Sequence, residues 1–589
     1  MSAVVSDVET RAADAGTPLT EAQAGLWYAQ RLASDNPAFN TAHALWIDGA
    51  LDVDAFARAA NRAVDEAPAL ALRMREAAEG PVQWIDAGHV PHLEIVDLSA
   101  DPSPDDAARA AMTRDRRSPV DPARDRLALQ RLFVLGGDHF VWYLRVHHLA
   151  TDGYGMALLT ERVCALYADT NAGAAFAPFD GVLAEDATYR ASEKRAADSA
   201  YWQQALAGMP AAAGLGGGFA HAAPDCLRHV EALDTAFREG LARAAAALEQ
   251  PWPDVLTALT AAYCQRFGGQ GETVVGVPFM GRLGSASARV PAMVMNVLPL
   301  RVPARPDASV AEFTQGIVRA LLRGRRHGRY RGEQLRRDLG LIGGQRRLHG
   351  PLINVQPFYR PTVLAGARAS MEILGTGPVD DITLGFRGDG IGALDLEIEA
   401  NPALYSEADV TAHAARLRAF LSAALDLATQ PDARLDDVPL ATPGEAARTL
   451  FDFNATAHPV PDSTLVALIE ASMAARPDSP ALVFEGETLT YRALDTRSRA
   501  LAQALRARGA GADAVVAVAL PRSIELVVAL VAVLRAGAAY LPMDLAHPVE
   551  RRARILRSAQ PVALLARDDD GIDWPDDAPR FRSEERRVG

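Results

Sequence analysis

The segment 147–153, HHLATDG, constrains the fold of this chain more than any other feature of the sequence. It follows the apolar run 140–146, whose β-branched and aromatic residues are typical of a buried strand. It precedes residues 154–166, in which apolar residues recur at helical spacing. The two histidines are therefore predicted where a strand ends and a loop leads into a helix, a common position for reactive side chains.

The residues of the loop have their own expected roles. Gly153 is expected to adopt backbone angles that a β-carbon would forbid, and Asp152 is short enough to fold back on its own loop. Taken alone, the histidines have two interpretations of equal standing. They are either a strand-end pair, one in the core and one exposed, or part of a catalytic site.

Further motifs bear on that choice. HHxxxDG at a strand end resembles the signature of the condensation domains of nonribosomal peptide synthetases, which belong to the superfamily of chloramphenicol acetyltransferase and related acyltransferases. Other stretches resemble the remaining motifs of that family in the same order: LTEAQAGLW (19–27), GVPFMGR (276–282), MNVLPLR (295–301) and GPLINV (350–355). The resemblance covers roughly residues 15–430 and favours the catalytic interpretation.

The resemblance implies an α/β fold in which two chloramphenicol-acetyltransferase-like lobes form a V-shaped condensation domain. A partial N-terminal lobe of an adenylate-forming enzyme is expected to follow it. The predicted divisions are a flexible lead (1–17), the condensation domain (18–435, with lobes at about 18–190 and 226–430), a linker (436–460), a truncated adenylation domain (461–567) and a non-matching tail (568–589).

The resemblance also implies a reaction, amide formation between an acyl or aryl donor and an aminoacyl acceptor. By resemblance, His148 accepts a proton from the acceptor amine or holds that amine in place, which are alternatives that the sequence leaves open. His147 is expected to pack inward and shape the loop, and Gly153 to offer a backbone amide to the developing oxyanion.

Two residues of the second lobe are implied as supports of this site. Arg282 matches the arginine that pairs with the motif aspartate, here Asp152, because a buried carboxylate needs a partner. Asn296 matches a channel asparagine of the family, with a loop-capping amide as the equally weighted alternative.

A second resemblance begins near residue 455. LTYRAL (489–494) and LRAGAAYLPMD (534–544) resemble the first two motifs of adenylation, or AMP-binding, domains. That family places its phosphate loop, an ATP-binding aromatic residue and a catalytic lysine further downstream, and the resemblance stops near Arg567. We therefore expect no adenylation activity, a truncated reading frame, and an apolar strand at 514–520 without sheet neighbours.

The charge and the residue composition of the chain limit the classes of partner that it is expected to bind. The net charge of −14 disfavours nucleic acid, and the three cysteines lack the spacing of a disulfide framework or a metal site. The N-terminus lacks a secretory pattern and no apolar run reaches spanning length, so a cytoplasmic protein without a membrane partner is predicted. The arginine-rich segment 319–337 is either a solvated basic face or a surface for an acidic carrier protein or its phosphopantetheine phosphate.

By resemblance, no cofactor is tightly bound. The substrates are carried on the phosphopantetheine arms of an upstream acyl or aryl carrier protein and a downstream peptidyl carrier domain, and ATP with magnesium serves only a complete adenylation domain. The expected pathway is siderophore-type secondary metabolism. A heterocyclisation domain is disfavoured by His147 and His148, whereas an epimerisation-type relative and a non-catalytic remnant that docks carrier proteins remain alternatives.

Overall fold

The computed structural model describes residues 16–269, 271–341, 347–359, 362–567, 574, 576 and 578–581. The chain divides into two compact units, Met1–Asn454 and Ala455–Gly589. The predicted lead and tail fall almost wholly outside the described residues. Within the described residues, no helix combines the length and apolarity needed to cross a membrane.

The first unit alternates strands and helices, as predicted. Its strands are β1 (Thr17–Pro18), β2 (Asn40–Gly49), β3 (Leu72–Ala77), β4 (Gly80–Ile85), β5 (Glu94–Asp97), β6 (Ala128–Gly136), β7 (His139–His147), β8 (Leu227–Ala232), β9 (Glu272–Phe279), β10 (Asn296–Pro303), β11 (Leu352–Gln356), β12 (Ala367–Gly375), β13 (Ile382–Gly388) and β14 (Leu394–Ala400). Its helices are α1 (Glu21–Leu32), α2 (Val53–Asp65), α3 (Pro104–Arg116), α4 (Gly153–Ala168), α5 (Asp180–Arg190), α6 (Glu193–Ala205), α7 (Thr235–Leu248), α8 (Trp252–Phe267), α9 (Val310–Arg326), α10 (Gly332–Asp338), α11 (Glu407–Leu427) and α12 (Pro443–Ala447).

The first lobe is built on a sheet of order β12-β2-β7-β6-β5. Helices cover both faces: Phe56 of α2 packs with Trp142 in one core, and Met112 of α3 packs with Tyr143 in the other. Because β7 lies in the middle of this sheet, nearly every residue of it is buried, which explains its continuous apolar run. The edge strand β12 comes from the second half of the sequence, so the lobes are not the two separate stretches that the sequence predicted.

The second lobe is built on a sheet of order β10-β9-β11-β13-β14-β8. Its core lies on one face, where Leu396 and Ile398 of β14 pack with residues of α8 and α11. Glu397 and Glu399 alternate with these residues and therefore lie on the opposite face of the sheet. Both carboxyl side chains on this opposite face are buried inside the first unit.

The C-terminal boundary of the first unit differs from the predicted one. Val438, inside the predicted linker 436–460, is fully buried in the core of the second lobe, and its carbonyl accepts a hydrogen bond from Arg266. Glu445 forms an ion pair with Arg416 of α11. The segment up to α12 is thus part of the first unit.

The second unit is a small α/β assembly. Its elements are α13 (Leu465–Ala475), β15 (Pro480–Phe484), β16 (Glu487–Thr490), α14 (Tyr491–Ala507), β17 (Val515–Ala519), α15 (Ile524–Ala536), β18 (Ala539–Pro542), α16 (Val549–Ala559) and β19 (Ala563–Ala566). The expectation that the strand at 514–520 lacks sheet neighbours is wrong, because β17 pairs in parallel with β18 on one side and β19 on the other. Two helix crossovers return the chain to the same small sheet, a connection that the run itself does not reveal.

Candidate active site

A cavity of about 820 Å³ lies between the two lobes of the first unit, and His148 lines it. The first lobe contributes the start of α4, including Gly153 and Tyr154. The second lobe contributes the segment after β9, the end of β11 and the segment after β12. The predicted strand–loop–helix therefore delivers His148 to the junction of the lobes.

The imidazole of His148 has its Nε2 atom 3.3 Å from the carbonyl oxygen of Thr376. Its Nδ1 atom is buried and makes no hydrogen bond to any described residue. Burial lowers the pKa of His148, although the hydrogen bond to Thr376, the Asp152 carboxylate and the Thr151 backbone act in the opposite direction. The side chain is therefore neutral near pH 7, the form that accepts a proton. A Cβ at Gly377 would lie 2.8 Å from Nε2, so this glycine keeps the adjacent space open.

His147 lies on the other side of the strand end and is buried away from the cavity. Its Nδ1 accepts a hydrogen bond from the backbone N–H of Leu149, and its Nε2 lies 3.3 Å from Oε1 of Gln30. Nδ1 is thus the unprotonated nitrogen and Nε2 is the donor. Burial, with the neighbouring His148 and Arg145, lowers the pKa of His147 to about 3. The contacts suit a residue that shapes the loop.

Asp152 and Arg282 are in direct contact and connect the lobes. Both carboxylate oxygens of Asp152 lie 2.8 Å from Nη2 of Arg282. The carboxylate also accepts hydrogen bonds from the backbone N–H groups of Gly155 (3.0 Å), Val294 (3.1 Å) and Met295 (3.0 Å). Arg282 further donates to the backbone carbonyls of Ser287, Val290 and Ala292. These bonds assign the pair to holding the two lobes together.

Gly153 lines the cavity, but the conformational reason predicted for it is wrong. Its φ is not in the left-handed region, and a Cβ there would meet no described atom within 4 Å. Gly153 is the first residue of α4 and has helical geometry, because Asp152 is the N-cap. The restricted position is Gly155, which the sequence analysis did not single out, where a Cβ would lie 2.1 Å from Oγ1 of Thr151.

Asn296 also lines the cavity, and its amide is used to hold a loop. Nδ2 donates to the carbonyls of Gly328 (2.9 Å) and Tyr330 (2.8 Å). Oδ1 accepts from the N–H groups of Val297 (3.0 Å) and Gly332 (3.2 Å). These contacts correspond to the loop-capping alternative.

The sequence analysis missed three side chains that the fold brings to the cavity: Thr376, Tyr154 and Phe358. The rings of Tyr154 and Phe358 meet edge to face across the lobes, with centroids 5.2 Å apart. The guanidinium of Arg282 lies 5.1 Å from the centre of the Tyr154 ring. No motif spacing marks these residues, because they meet only in the folded unit.

The arginine-rich segment 319–337 is not one continuous face. Arg325 pairs with Asp254, Arg329 pairs with Glu185, and Arg331 is buried and donates to backbone carbonyls of the second lobe. Arg326 is exposed and borders the same cavity as His148, as does Lys194. The segment therefore contributes both internal ion pairs and an exposed basic edge to the cavity.

This geometry defines a two-lobed α/β unit with a neutral histidine in a cavity between the lobes. Residues 14–448 match the condensation-domain family. Residues 469–587 match the AMP-binding enzymes, so this match continues past residue 567, where the resemblance of the sequence motifs stops. The first condensation domain of the calcium-dependent antibiotic synthetase is 34% identical, with a TM-score of 0.65 over 72% of this chain and 99% of that one. The starter condensation domain of rhizomide synthetase is 31% identical, with a TM-score of 0.66 over 72% and 96%. The chain belongs to the condensation-domain family of nonribosomal peptide synthetases.

Longer relatives match almost the whole chain. The dimodular nonribosomal peptide synthase of Bacillus subtilis is 36% identical over 95% of this chain and 24% of its own length. The isonitrile lipopeptide synthase of Streptomyces coeruleorubidus is 39% identical over 95% and 38%. The condensation motifs of this chain are phrased much like those of the enterobactin synthetase subunit that carries such a domain. Enterobactin synthase component F of Escherichia coli O157:H7 is 34% identical over 94% and 43%, which confirms this likeness. The chain spans less than half of the length of each of these relatives.

Proposed function

We propose that the first unit forms an amide bond between a carrier-bound acyl or aryl donor and a carrier-bound aminoacyl acceptor. The observation that carries this proposal is the placement of a neutral His148 in the cavity between the lobes, with Nε2 beside open space at Gly377. The relatives are peptide synthases, which supports an amide-forming reaction. Those named after enterobactin and an isonitrile lipopeptide favour a role for this chain in making a siderophore or a lipopeptide.

In the proposed reaction, the acceptor amine attacks the thioester carbonyl of the donor. The new C–N bond forms, the C–S bond breaks, and the donor arm leaves as a thiol. An α-amine with a pKa of about 7.7–8 is largely protonated at neutral pH, so it must lose a proton to react. In the structure Nε2 faces the Thr376 carbonyl and therefore carries the proton of the neutral imidazole, so the lone pair is on Nδ1. His148 accepts the proton at Nε2 only after that contact is released and the other tautomer forms, or it holds the amine in place. A positioned base contributes about 10²–10⁴-fold in rate.

Other residues have supporting roles in this proposal. Gly153 lines the cavity, and its N–H, at the first position of α4, has no acceptor within its own helix, so it can donate to the developing oxyanion. Asp152 and Arg282 hold the lobes in register, and Asn296 holds the loop at 328–332. His147 fixes the loop that carries His148.

The test uses the full chain with a panel of acyl- and aryl-loaded donor carriers and aminoacyl-loaded acceptor carriers, with the amide product measured by mass spectrometry. Wild type is expected to form amide with at least one pair. His148→Ala should lose about 10²-fold or more of that rate while the protein folds normally. The matched control is His92→Ala, an exposed histidine paired with Asp65 on the surface. Activity of His148→Ala within a few-fold of wild type contradicts the proposed role, and inactivity of wild type with every pair favours the docking-remnant alternative.

We also propose that Arg326, at the edge of the cavity, meets the phosphate of a phosphopantetheine arm, beside Lys194, whose Nζ pairs with Asp198. The arm is joined to its carrier through a phosphodiester, which carries about one negative charge and is bound well by guanidinium groups. Arg326→Glu is expected to raise KM for carrier-bound substrates several-fold and to leave KM unchanged for N-acetylcysteamine thioesters, which lack the phosphate. Equal effects on both substrate forms would exclude a phosphate contact.

For the second unit, we propose that this 589-residue chain does not activate amino acids or aryl acids with ATP. The support is that the sequence shows no phosphate loop or downstream catalytic lysine of the kind the AMP-binding family uses. Pyrophosphate exchange with the proteinogenic amino acids and a set of aryl acids is expected to stay at the level of the enzyme-free blank. Exchange clearly above that blank with any of them would overturn this proposal.

A further inference from the structure

A buried carboxyl group lies behind the residue that contacts His148. Glu399, on β14, is 3% exposed, and its Oε2 accepts a hydrogen bond from the hydroxyl of Thr376. The backbone carbonyl of the same threonine lies 3.3 Å from Nε2 of His148. One residue thus connects the imidazole, through its carbonyl, to the carboxyl group, through its hydroxyl.

The local chain gives Thr376 little other restraint. It lies just after β12 and is followed by Gly377, whose φ of 117° belongs to a region that only glycine occupies easily. A glycine in that position permits the segment to turn but does not hold it in place. The hydrogen bond to Glu399 supplies a fixed anchor on the rigid sheet of the second lobe.

The neighbouring arginines do not fully compensate for the burial of the Glu399 carboxyl group. Arg228 approaches Glu399 only to 3.6 Å, whereas it donates to Glu397 at 3.1 Å, and Arg387 donates to the same Glu397 at 2.7 Å. The second oxygen of Glu399, Oε1, makes no hydrogen bond to a described residue. Burial raises the pKa of Glu399, against the effects of Arg228 and the Thr376 hydroxyl. A buried carboxyl group with one good hydrogen bond is costly, and that bond is to Thr376.

We propose that Glu399 is a positioning residue for His148: through the Thr376 hydroxyl it fixes the Thr376 carbonyl, which accepts a hydrogen bond from Nε2 and so fixes the orientation of the imidazole in the cavity. This inference rests on the proposed function for its kinetic consequence. Its structural part, the orientation of His148, does not depend on the reaction.

The kinetic test compares variants of the full chain, using the acyl and aminoacyl N-acetylcysteamine thioester pair with the highest wild-type turnover. Glu399→Ala and Thr376→Val are expected to lower kcat about tenfold, with KM within about threefold of wild type. Glu399→Gln keeps an oxygen for the threonine hydroxyl, and Thr376→Ser keeps the hydroxyl, so each should retain most of kcat. The double variant Glu399→Ala/Thr376→Val should be no slower than either single variant, because both break one connection.

Glu397→Ala is the matched control. It removes a buried carboxylate from the same strand and releases the same Arg228, but Glu397 does not reach Thr376. It is expected to lower Tm as much as Glu399→Ala while kcat stays within about twofold. If Glu397→Ala and Glu399→Ala lower kcat equally, or if Glu399→Ala leaves kcat unchanged, the positioning role is wrong.

A second measurement needs no substrate. Diethylpyrocarbonate modifies neutral imidazole nitrogens, and mass spectrometry of the peptides gives the rate at His148 relative to the exposed His92. That ratio is expected to change at least threefold in Glu399→Ala and Thr376→Val and to remain at the wild-type value in Glu397→Ala. If wild type proves inactive but the ratio changes as described, the proposed function fails and the positioning inference stands. An unchanged ratio in Glu399→Ala overturns the inference.

Discussion

At the residue scale, Asp152 and His148 have different roles although they lie only four positions apart in one motif. Asp152 accepts hydrogen bonds from Arg282 and from three backbone N–H groups, so its lone pairs are occupied. His148 has one nitrogen without a partner among the described residues and another facing a carbonyl at the edge of a cavity. Only the histidine retains a group that can exchange a proton with a substrate.

The first prediction concerns the pair of Asp152 and Arg282. Asp152→Ala and Arg282→Ala should each lower the free energy of unfolding by about 3–5 kcal/mol, because each leaves a buried charge without its partner. The double variant should lose less than the sum of the two, since it removes both charges. Chemical denaturation of the four proteins provides the cycle. Strictly additive losses would show that the two side chains do not stabilise the fold as a pair.

At the scale of the element, the N-terminus of α4 places the site. Asp152 caps the helix by accepting a hydrogen bond from the N–H of Gly155, at 3.0 Å. The next turn packs against the segment around Pro291, where a Cβ on Gly155 would come within 3.2 Å of the Pro291 Cα. Small residues are needed here for the close approach of the lobes, and not for left-handed backbone.

The two glycines of this turn give a matched prediction. Gly155→Ala should lower the free energy of unfolding by about 1–3 kcal/mol, because the new methyl group overlaps Thr151 and Pro291. Gly153→Ala should stay within about 1 kcal/mol of wild type, since a Cβ there meets open space among the described atoms. Thermal and urea unfolding of both variants provide the test. Equal losses would contradict this account of the helix N-terminus.

Sequence reasoning succeeded for elements whose pattern is local and failed where distant segments meet. The strand and helix around His148 were predictable because burial on both faces produces a continuous apolar run and a helix face produces its own period. The contact of Thr376 with His148 joins residues 228 positions apart and has no local signal. The same holds for β12, which leaves the second half of the chain to pair with β2. Arg282 was found only because its motif resembles that of the family.

At the scale of the whole molecule, the first unit holds several histidines in the neutral form. Burial, with Arg387, lowers the pKa of His43 to about 3, and burial lowers that of His147 to about 3 as well. Burial, with Arg416, lowers the pKa of His413 to about 4, and its Nδ1 lies 2.9 Å from the hydroxyl of Tyr263. These groups titrate near pH 6.5 in the unfolded chain. Below that pH the unfolded state therefore binds more protons than the folded state.

The last prediction follows from this difference. The free energy of unfolding of the first unit should fall as the pH is lowered from 7 to 5, by up to about 1.4 kcal/mol per pH unit for each such histidine. Tryptophan fluorescence reports mainly on this unit, because only Trp574 lies after residue 454. Since other groups also titrate, the decisive comparison is His413→Gln, which keeps an acceptor for the Tyr263 hydroxyl but cannot bind the proton. Its stability should depend less steeply on pH than that of wild type, whereas His92→Gln, at an exposed position, should follow wild type. Identical slopes for all three proteins would mean that burial of His413 does not couple folding to protonation.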